Sequence, residues 1–225
     1  MTSATKTLAI FDLDRTITVH GTFTPWLLRI VARYPLKALL VPLILGAMIG
    51  YKLKAISRKR LKEIMLGLIA AGVPGKTLGA ITDQFIADWF PERCRPGALS
   101  AIKNHLAAGD AAMIATASNT VYVNAIAAKL GIPFVVATGT ETTPDGAVTG
   151  TIPGPNCYGK DKLDMLTAAI AQHGLSDRKT VFYSDHHTDL PVLLWADEGI
   201  AINPNARLRA EAATHGLKVV DWGLP

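Results

Sequence analysis

The 225-residue chain is poor in cysteine and in charged residues. Its two cysteines, Cys94 and Cys157, exclude a disulfide framework, so we expect a reducing compartment. Charged residues make up 18% of the chain and hydrophobic residues 49%, which argues against a disordered protein and is enough for a full core. The N-terminal segment has no long apolar region before its first acids. We therefore predict no secretory signal and expect a cytoplasmic location.

Acidic residues are missing between Asp14 and Glu63. This stretch carries ten lysines and arginines in 48 residues, so the net charge of +5 combines +10 here with −5 elsewhere. It also holds an uncharged run of 14 residues, 38–51, shorter than the about 20 apolar residues that span a membrane. Two interpretations stay open: a buried helical hairpin with solvated basic ends, or an element on an anionic membrane surface or facing an anionic lipid substrate. We expect no nucleic-acid partner, because apolar surface adjoins the basic residues.

The order of apolar segments predicts an α/β fold with a helical insertion. Residues 7–14 are typical of a buried strand, whereas residues 18–95 have helical spacing throughout. After residue 95, helices and strands alternate, which predicts a mainly parallel sheet covered on both faces. Pro144-Asp145-Gly146 indicates a hairpin turn. We predict a core built from residues 1–17 and 96–225, with residues 18–95 inserted as a cap.

Polar side chains follow the predicted strands, at the edge where parallel α/β sheets place their active sites. Asp12 and Asp14 come after the first strand, and carboxylates two residues apart on an extended segment point the same way. Such a pair is costly beside a core unless a cation or a substrate uses it. Asp185 and Asp189 follow a later strand and can complete a hard-cation site that suits Mg²⁺.

Two further segments carry groups that suit a phosphate. Ser118 and Asn119 end a predicted strand and open a helix, where a hydroxyl and free backbone N–H groups bind anions. Asn119 is also placed to cap that helix. Lys160 and Lys162 stand at the start of the predicted helix 162–174, and either lysine is also compatible with an ordinary solvated position.

Together these motifs resemble the haloacid dehalogenase (HAD) superfamily of phosphohydrolases. The resemblance rests on the order D-x-D-x-T, strand-end serine, lysine before a helix and D-x-x-x-D, and it covers essentially the whole chain. The helical insert and the hairpin resemble the phosphoserine-phosphatase-like branch, subfamily IB, with its type-1 cap. The resemblance implies a Rossmann-like parallel sheet with an inserted α-helical cap.

The resemblance also implies roles for the acids. Asp12 matches the nucleophile that forms an aspartyl-phosphate, and Asp14 matches the general acid/base. Asp12, the main-chain carbonyl of Asp14 and Asp185 match the Mg²⁺ ligands, with Asp189 behind them or acting through water. Thr16 is implied to fix the first loop.

The phosphate-binding groups implied by the resemblance are Ser118, Asn119 and a lysine. We choose Lys162 over Lys160, because Met165 and Leu166 follow it at the spacing of this branch. The lysine is implied to hold the nucleophile and offset phosphoryl charge.

Two departures from the family pattern concern the substrate. The serine phosphatases carry a cap glutamate shortly after the first motif, but residues 19–23 contain no acid, so a phosphoamino acid is not the expected substrate. Arg15 stands at a position that is small or neutral in the family. It either adds positive charge near the substrate or faces solvent, and both interpretations stay open.

Three functional hypotheses follow. The first is a Mg²⁺-dependent phosphomonoesterase acting on a membrane-lipid phosphate, such as phosphatidylglycerophosphate, at the cytoplasmic face of a membrane; a related branch of the superfamily contains such enzymes. The second is the same enzyme acting on a soluble phosphometabolite, with the apolar run buried in the cap or in a dimer contact. The third is a non-catalytic membrane-surface module, against which the intact set of acids argues.

Overall fold

The computed structural model describes residues 6–224, and in these residues one six-stranded sheet forms the centre of the fold. All neighbouring strands pair in parallel, in the order β3-β2-β1-β4-β5-β6. The strands are β1 Thr7–Phe11, β2 Ala111–Asn119, β3 Phe134–Thr138, β4 Lys179–Ser184, β5 Glu198–Ile202 and β6 Lys218–Val220. The predicted α/β class with a parallel sheet is confirmed.

The central position of β1 follows from its composition. Its uninterrupted apolar run places Leu8, Ala9, Ile10 and Phe11 at 0% exposure, as expected for a strand covered on both faces. Ala9 and Phe11 belong to one core cluster, and Leu8 and Ile10 belong to the other. The strand is shorter than the predicted 7–14, because the chain leaves the sheet after Phe11.

Five helices of the α/β part cover the two faces of the sheet within the described chain. They are α5 Pro96–Ala107, α6 Thr120–Leu130, α7 Lys160–Gln172, α8 Leu190–Trp195 and α9 Ala206–His215. Apolar side chains of α5 and α6 enter the cluster of Phe11, while those of α7, α8 and α9 enter the cluster of Leu8. The hairpin predicted around Pro144-Asp145-Gly146 is present as an antiparallel bridge between Thr142 and Val148.

A helical block separates β1 from α5. It contains α1 Phe23–Arg33, α2 Val41–Lys52, α3 Arg58–Met65 and α4 Gly75–Trp89; a 3₁₀ segment Pro35–Leu40 leads into α2, and a wide turn Leu66–Ala70 extends α3. The connections into and out of the block form an antiparallel bridge between Thr18 and Cys94, next to the predicted borders. The Trp26 ring of the block lies 5.1 Å from the Tyr122 ring of α6, so the block rests on the core near the end of β2.

The apolar run 38–51 is not buried, so the interpretation as a buried helical hairpin is wrong. Ile44 is the single buried side chain between Pro35 and Lys52, all of which the structure describes. These 18 residues form one helical segment with a mean hydropathy of 1.4, of which 6% is buried. By length and composition this segment would also reach across a membrane, although α2 contacts α3 of the block.

Candidate active site

The carboxyl ends of three adjacent strands bring the predicted polar residues together. Asp12 directly follows β1, Ser118 is the penultimate residue of β2, and Asp185 directly follows β4. Because β2, β1 and β4 are neighbours in the sheet, these side chains line one cavity of about 350 Å³. Asp14 and Lys162 line the same cavity.

Lys162 forms the buried ionic centre of the site. It lies in the first turn of α7 with 2% exposure, and its Nζ donates to Asp12 Oδ1 at 2.9 Å and to Asp189 Oδ2 at 2.7 Å. The Ser184 hydroxyl donates to the same Asp189 oxygen at 2.7 Å. Lys160, by contrast, is exposed and pairs with Asp164 on the outside of α7. The structure therefore places Lys162, and not Lys160, in the site.

Asp12 and Asp185 share Thr16 as a hydrogen-bond partner. The Thr16 hydroxyl lies 3.3 Å from Asp12 Oδ2 and 3.4 Å from Asp185 Oδ1, and it accepts from the backbone N–H of Asp185 at 3.0 Å. Thr16 is completely buried, so it joins the end of β1 to the end of β4. This contact fixes the two carboxylates on one side of the cavity.

The electrostatics of these buried acids favour a cation. Burial raises the pKa of Asp12 to about 8 although Lys162 opposes the shift, and burial followed by repulsion from Asp189 raises the pKa of Asp185 to about 6. Burial disfavours the ammonium of Lys162, but the attraction of Asp12 and Asp189 prevails and raises its pKa. One lysine thus faces three buried carboxylates.

The donor set fits Mg²⁺. The carboxylates of Asp12 and Asp185 are hard oxygen donors on one side of the cavity, and Mg²⁺ binds few such groups while keeping water and phosphate oxygens. Among the described residues no group of three His, Cys, Asp or Glu side chains is arranged to hold a metal ion. Asp189 already accepts bonds from Lys162 and Ser184, which ties it to the lysine and places it behind the two other acids.

Asp14 points toward the serine. Its Oδ2 accepts from the Ser118 hydroxyl at 2.6 Å, and its Oδ1 accepts from the backbone N–H and the hydroxyl of Thr22 at 2.6 and 2.7 Å. The chain turns sharply at Arg15, whose φ of 69° lies in the left-handed region. The turn directs the chain away from the line of β1 just after Asp14. The exposed Arg15 side chain lies along the cavity wall.

The side chain of Asn119 does not line the cavity, so the structure does not bring this predicted substrate-binding side chain together with Ser118. Its side chain is fully buried on the other side of the strand end, where Nδ2 donates to Thr140 at 3.2 Å. It stands before α6 but makes no capping hydrogen bond. The physical reason is the alternation of side chains along β2, which sends Ser118 into the cavity and Asn119 away from it.

Lys62 was missed as a site residue. It is buried in α3 of the helical block, and its Nζ donates to Asn156 Oδ1 at 2.7 Å and to the carbonyl of Ala117, next to Ser118. Burial, with a smaller repulsion from Arg58, lowers the pKa of Lys62 to about 7. One signal was available in the sequence, because Lys62 shares a helical face with Leu66 and Ile69, both of which are buried.

Comparison with known proteins agrees with this geometry. The family of haloacid dehalogenase-like hydrolases matches residues 9–194. The chain belongs to this family.

Two proteins illustrate what this chain is similar to. A histidinol-phosphatase from Neisseria meningitidis is 30% identical over 142 residues, which cover 62% of this chain and 64% of that protein. The match thus spans less than two thirds of this relative. A protein of unknown function from Bordetella pertussis Tohama I has a TM-score of 0.85 at 30% identity, and the match covers 98% of this chain and 100% of that one.

The fold is also that of a substrate-bound phosphoserine phosphatase. Its TM-score is 0.66 at 17% identity, covering 97% of this chain and 94% of that one. The predicted superfamily is confirmed, and the likeness in fold agrees with its phosphoserine-phosphatase-like branch.

Proposed function

We propose that the protein is a Mg²⁺-dependent phosphomonoester hydrolase that works through an aspartyl-phosphate on Asp12. The observation that carries this proposal is the position of Asp12 at the end of β1, where Lys162 and Thr16 hold its carboxylate by hydrogen bonds. The neighbouring Asp14 accepts a hydrogen bond from Ser118. A nucleophile and a general acid/base are thereby directed into one cavity. The activity named for the Neisseria relative supports the reaction class.

The proposed reaction has two steps, transfer of the phosphoryl group to Asp12 and hydrolysis of the aspartyl-phosphate. One carboxylate oxygen of Asp12 attacks phosphorus, the ester P–O bond breaks, and Asp14 donates a proton to the leaving alkoxide. Asp14 then takes a proton from a water molecule, whose oxygen attacks phosphorus. The bond between phosphorus and Asp12 breaks, inorganic phosphate leaves and the carboxylate is restored. Ser118 and Lys162 bind the phosphoryl oxygens throughout.

Asp12, Asp185 and the main-chain carbonyl of Asp14 would hold Mg²⁺. When bound, the ion offsets the repulsion between an anionic nucleophile and an anionic phosphate. Asp189 orients Lys162 in this scheme, because the two share a buried hydrogen bond at 2.7 Å.

Metal dependence provides the test of this proposal. We expect hydrolysis of p-nitrophenyl phosphate with Mg²⁺ and none after chelation. Asp185→Asn should raise the Mg²⁺ concentration for half-maximal rate by about tenfold or more, because it removes a charged ligand. The exposed Asp177 supplies the control, and Asp177→Asn should keep the native Mg²⁺ dependence. Undiminished turnover in the chelator would contradict the proposal.

We further propose that the enzyme works on a lipid-linked phosphate at the cytoplasmic face of a membrane, with the segment Pro35–Lys52 on the anionic surface. Large apolar side chains on this segment stand in solvent, among them Leu39 at 76% exposure and Leu43 at 59%. Exposed apolar patches of this kind mark interaction sites. The patch lies in the stretch between Asp14 and Glu63, which has basic but no acidic residues, and this charge would favour binding to anionic lipid. Two buried free thiols, Cys94 and Cys157, fit a cytoplasmic setting.

Co-sedimentation with vesicles tests the membrane contact. At low salt we expect binding to vesicles of phosphatidylcholine that also contain anionic phosphatidylglycerol. Binding should weaken as added salt screens the electrostatic attraction. Leu39→Asp should reduce binding because it puts a charge on the apolar patch. Leu194→Asp changes a comparable exposed leucine on α8 and should bind as the native chain does. Absence of binding at low salt would overturn the membrane proposal and favour a soluble phosphometabolite.

A further inference from the structure

A second cavity lies inside the helical block, between α1, α2 and α3. Its volume is about 500 Å³, within the range of about 300–1,000 Å³ that is usual for ligand pockets. All but three of its lining side chains are apolar or aromatic. Among the described residues that line it, none is acidic. The cavity is therefore suited to a hydrocarbon group and to no cation.

The apolar cavity adjoins the catalytic cavity. Phe23, Thr24, Arg58 and Lys62 line both, so the two spaces meet along a common wall. The wall carries two basic groups: Arg58 stacks on the Tyr158 ring at 4.3 Å, and Lys62 is anchored to the core. A ligand in the apolar cavity thus has its polar end beside positive charge and next to the phosphate-binding serine.

The α2 helix has two different apolar faces. Val41, Ile44, Leu45, Met48 and Tyr51 follow the spacing of one helical face, and all of them line the cavity. Leu43 and Ile49 lie on the other face and do not line it. Leu45 is nevertheless 53% exposed, so the cavity opens outward along the edge of α2.

We propose that this cavity is the subsite for the hydrocarbon chain of the substrate, with the phosphate at Ser118 and Lys162. The inference rests on the proposed phosphomonoesterase activity and deepens it, because it separates binding of the chain inside the block from contact of α2 with a membrane. Its occupant is a single alkyl or acyl chain, since one apolar space leads away from one phosphate site. Arg58 and Lys62 face the polar linkage between the two parts.

A series of n-alkyl phosphates tests the subsite without any membrane. The full chain with Mg²⁺ is assayed on butyl, hexyl and octyl phosphate below their micellar concentrations. Each buried methylene should raise kcat/KM about threefold to fourfold, which amounts to about 80- to 250-fold between butyl and octyl phosphate. A rate that does not depend on chain length overturns the subsite, while turnover of butyl phosphate still supports the phosphatase.

Two variants on α2 distinguish the cavity from the outer face of the helix. Leu45→Asp places a carboxylate in the cavity lining and should cut the octyl-to-butyl ratio at least about tenfold. Leu43→Asp makes the same change at a similarly exposed position outside the lining and should keep the native ratio. Equal losses in both variants overturn the subsite, because the chain would then lie on the outer face of α2.

Binding separates failure of the subsite from failure of the proposed function. If no phosphate ester is hydrolysed, the phosphatase proposal fails, and titration with butyl- and octylphosphonate then decides about the cavity. A dissociation constant that falls with chain length, and does so less in Leu45→Asp, supports the subsite. Equal dissociation constants for butyl- and octylphosphonate would overturn the subsite. A dimer seen by light scattering in the native chain and lost in Leu45→Asp also overturns it, because a second copy would then cover the cavity.

Discussion

Asp12→Asn is expected to lower kcat by at least about 10⁴-fold on any phosphomonoester that the native chain hydrolyses. Asparagine keeps the shape of the side chain, but its amide is a poor nucleophile toward phosphorus and a weak ligand for Mg²⁺. The loss should be present at saturating substrate, since it concerns the chemical step. Steady-state rates on p-nitrophenyl phosphate measure it.

The same variant should fold normally, which separates a catalytic role from a structural one. Burial raises the pKa of Asp12 to about 8, so in the metal-free chain the ionised form destabilises the fold. This cost is absent at low pH and grows as the pH rises from about 4 to about 8. Asp12→Asn should therefore melt at or above the native temperature in chelator, with a difference that increases over this pH range.

A control and a direct readout complete the test of Asp12. Asp83→Asn changes an exposed acid on α4 and should leave both rate and melting temperature as they are in the native chain. Labelled phosphate from the ester should remain bound to acid-quenched native protein and be absent from Asp12→Asn. Hydrolysis by Asp12→Asn at the native rate would show that Asp12 is not the nucleophile.

Lys162→Met is expected to lower both stability and activity. Lys162 is buried between Asp12 and Asp189, and its removal leaves the buried Asp189 carboxylate without its cation, which costs about 3–5 kcal/mol. The ammonium is also the positive group nearest the nucleophile, and loss of one such preorganised donor lowers kcat by about 10²–10³-fold. Urea unfolding in chelator measures the first effect, and the phosphatase assay measures the second.

Lys160→Met is the matched control for this experiment. Lys160 lies two residues earlier on the same helix, is exposed and pairs with Asp164 in solvent. Exposed pairs of this kind contribute little, so stability and kcat should both match those of the native chain. If the two variants behaved alike, the assignment of the motif lysine to Lys162 would be wrong.

The strand-end chemistry could be predicted from the sequence because it depends on local order. An apolar run followed at once by Asp12 and Asp14 places acids at the end of a strand wherever that strand lies in the sheet. The same holds for Ser118 after β2 and Asp185 after β4. The topology then joins these ends, because β2, β1 and β4 are neighbours.

The contacts between the helical block and the core could not be predicted in this way. Lys62 lies 55 residues from Ala117 and 94 from Asn156 along the chain, and no local pattern sets those distances. The contacts of Thr22 could not be predicted either. Its hydroxyl donates to Asp14 and also bonds to Tyr122, which lies 100 residues later in the chain. Such contacts depend on how the block is seated over the sheet.

Asn119 shows a limit at the scale of one residue. Composition and position both placed it beside Ser118 in the phosphate site, yet consecutive side chains of a strand point to opposite sides. The pairing of β2 with β3 also shifts register between Thr116 and Asn119, which alters the local direction of the chain. A register shift is a property of two paired strands and is absent from either sequence alone.

Residue order was thus sufficient for the family, the parallel sheet and the acids that carry the chemistry, because short apolar runs and the polar residues after them are local features. Residue order also favoured Lys162 over Lys160. Packing in three dimensions was needed to turn the Asn119 side chain away from the cavity and to bring Lys62 into the site. It also left the apolar run 38–51 in solvent, over a cavity that adjoins the catalytic one. The reason is that burial depends on what lies across from a side chain, and that partner comes from a distant part of the chain.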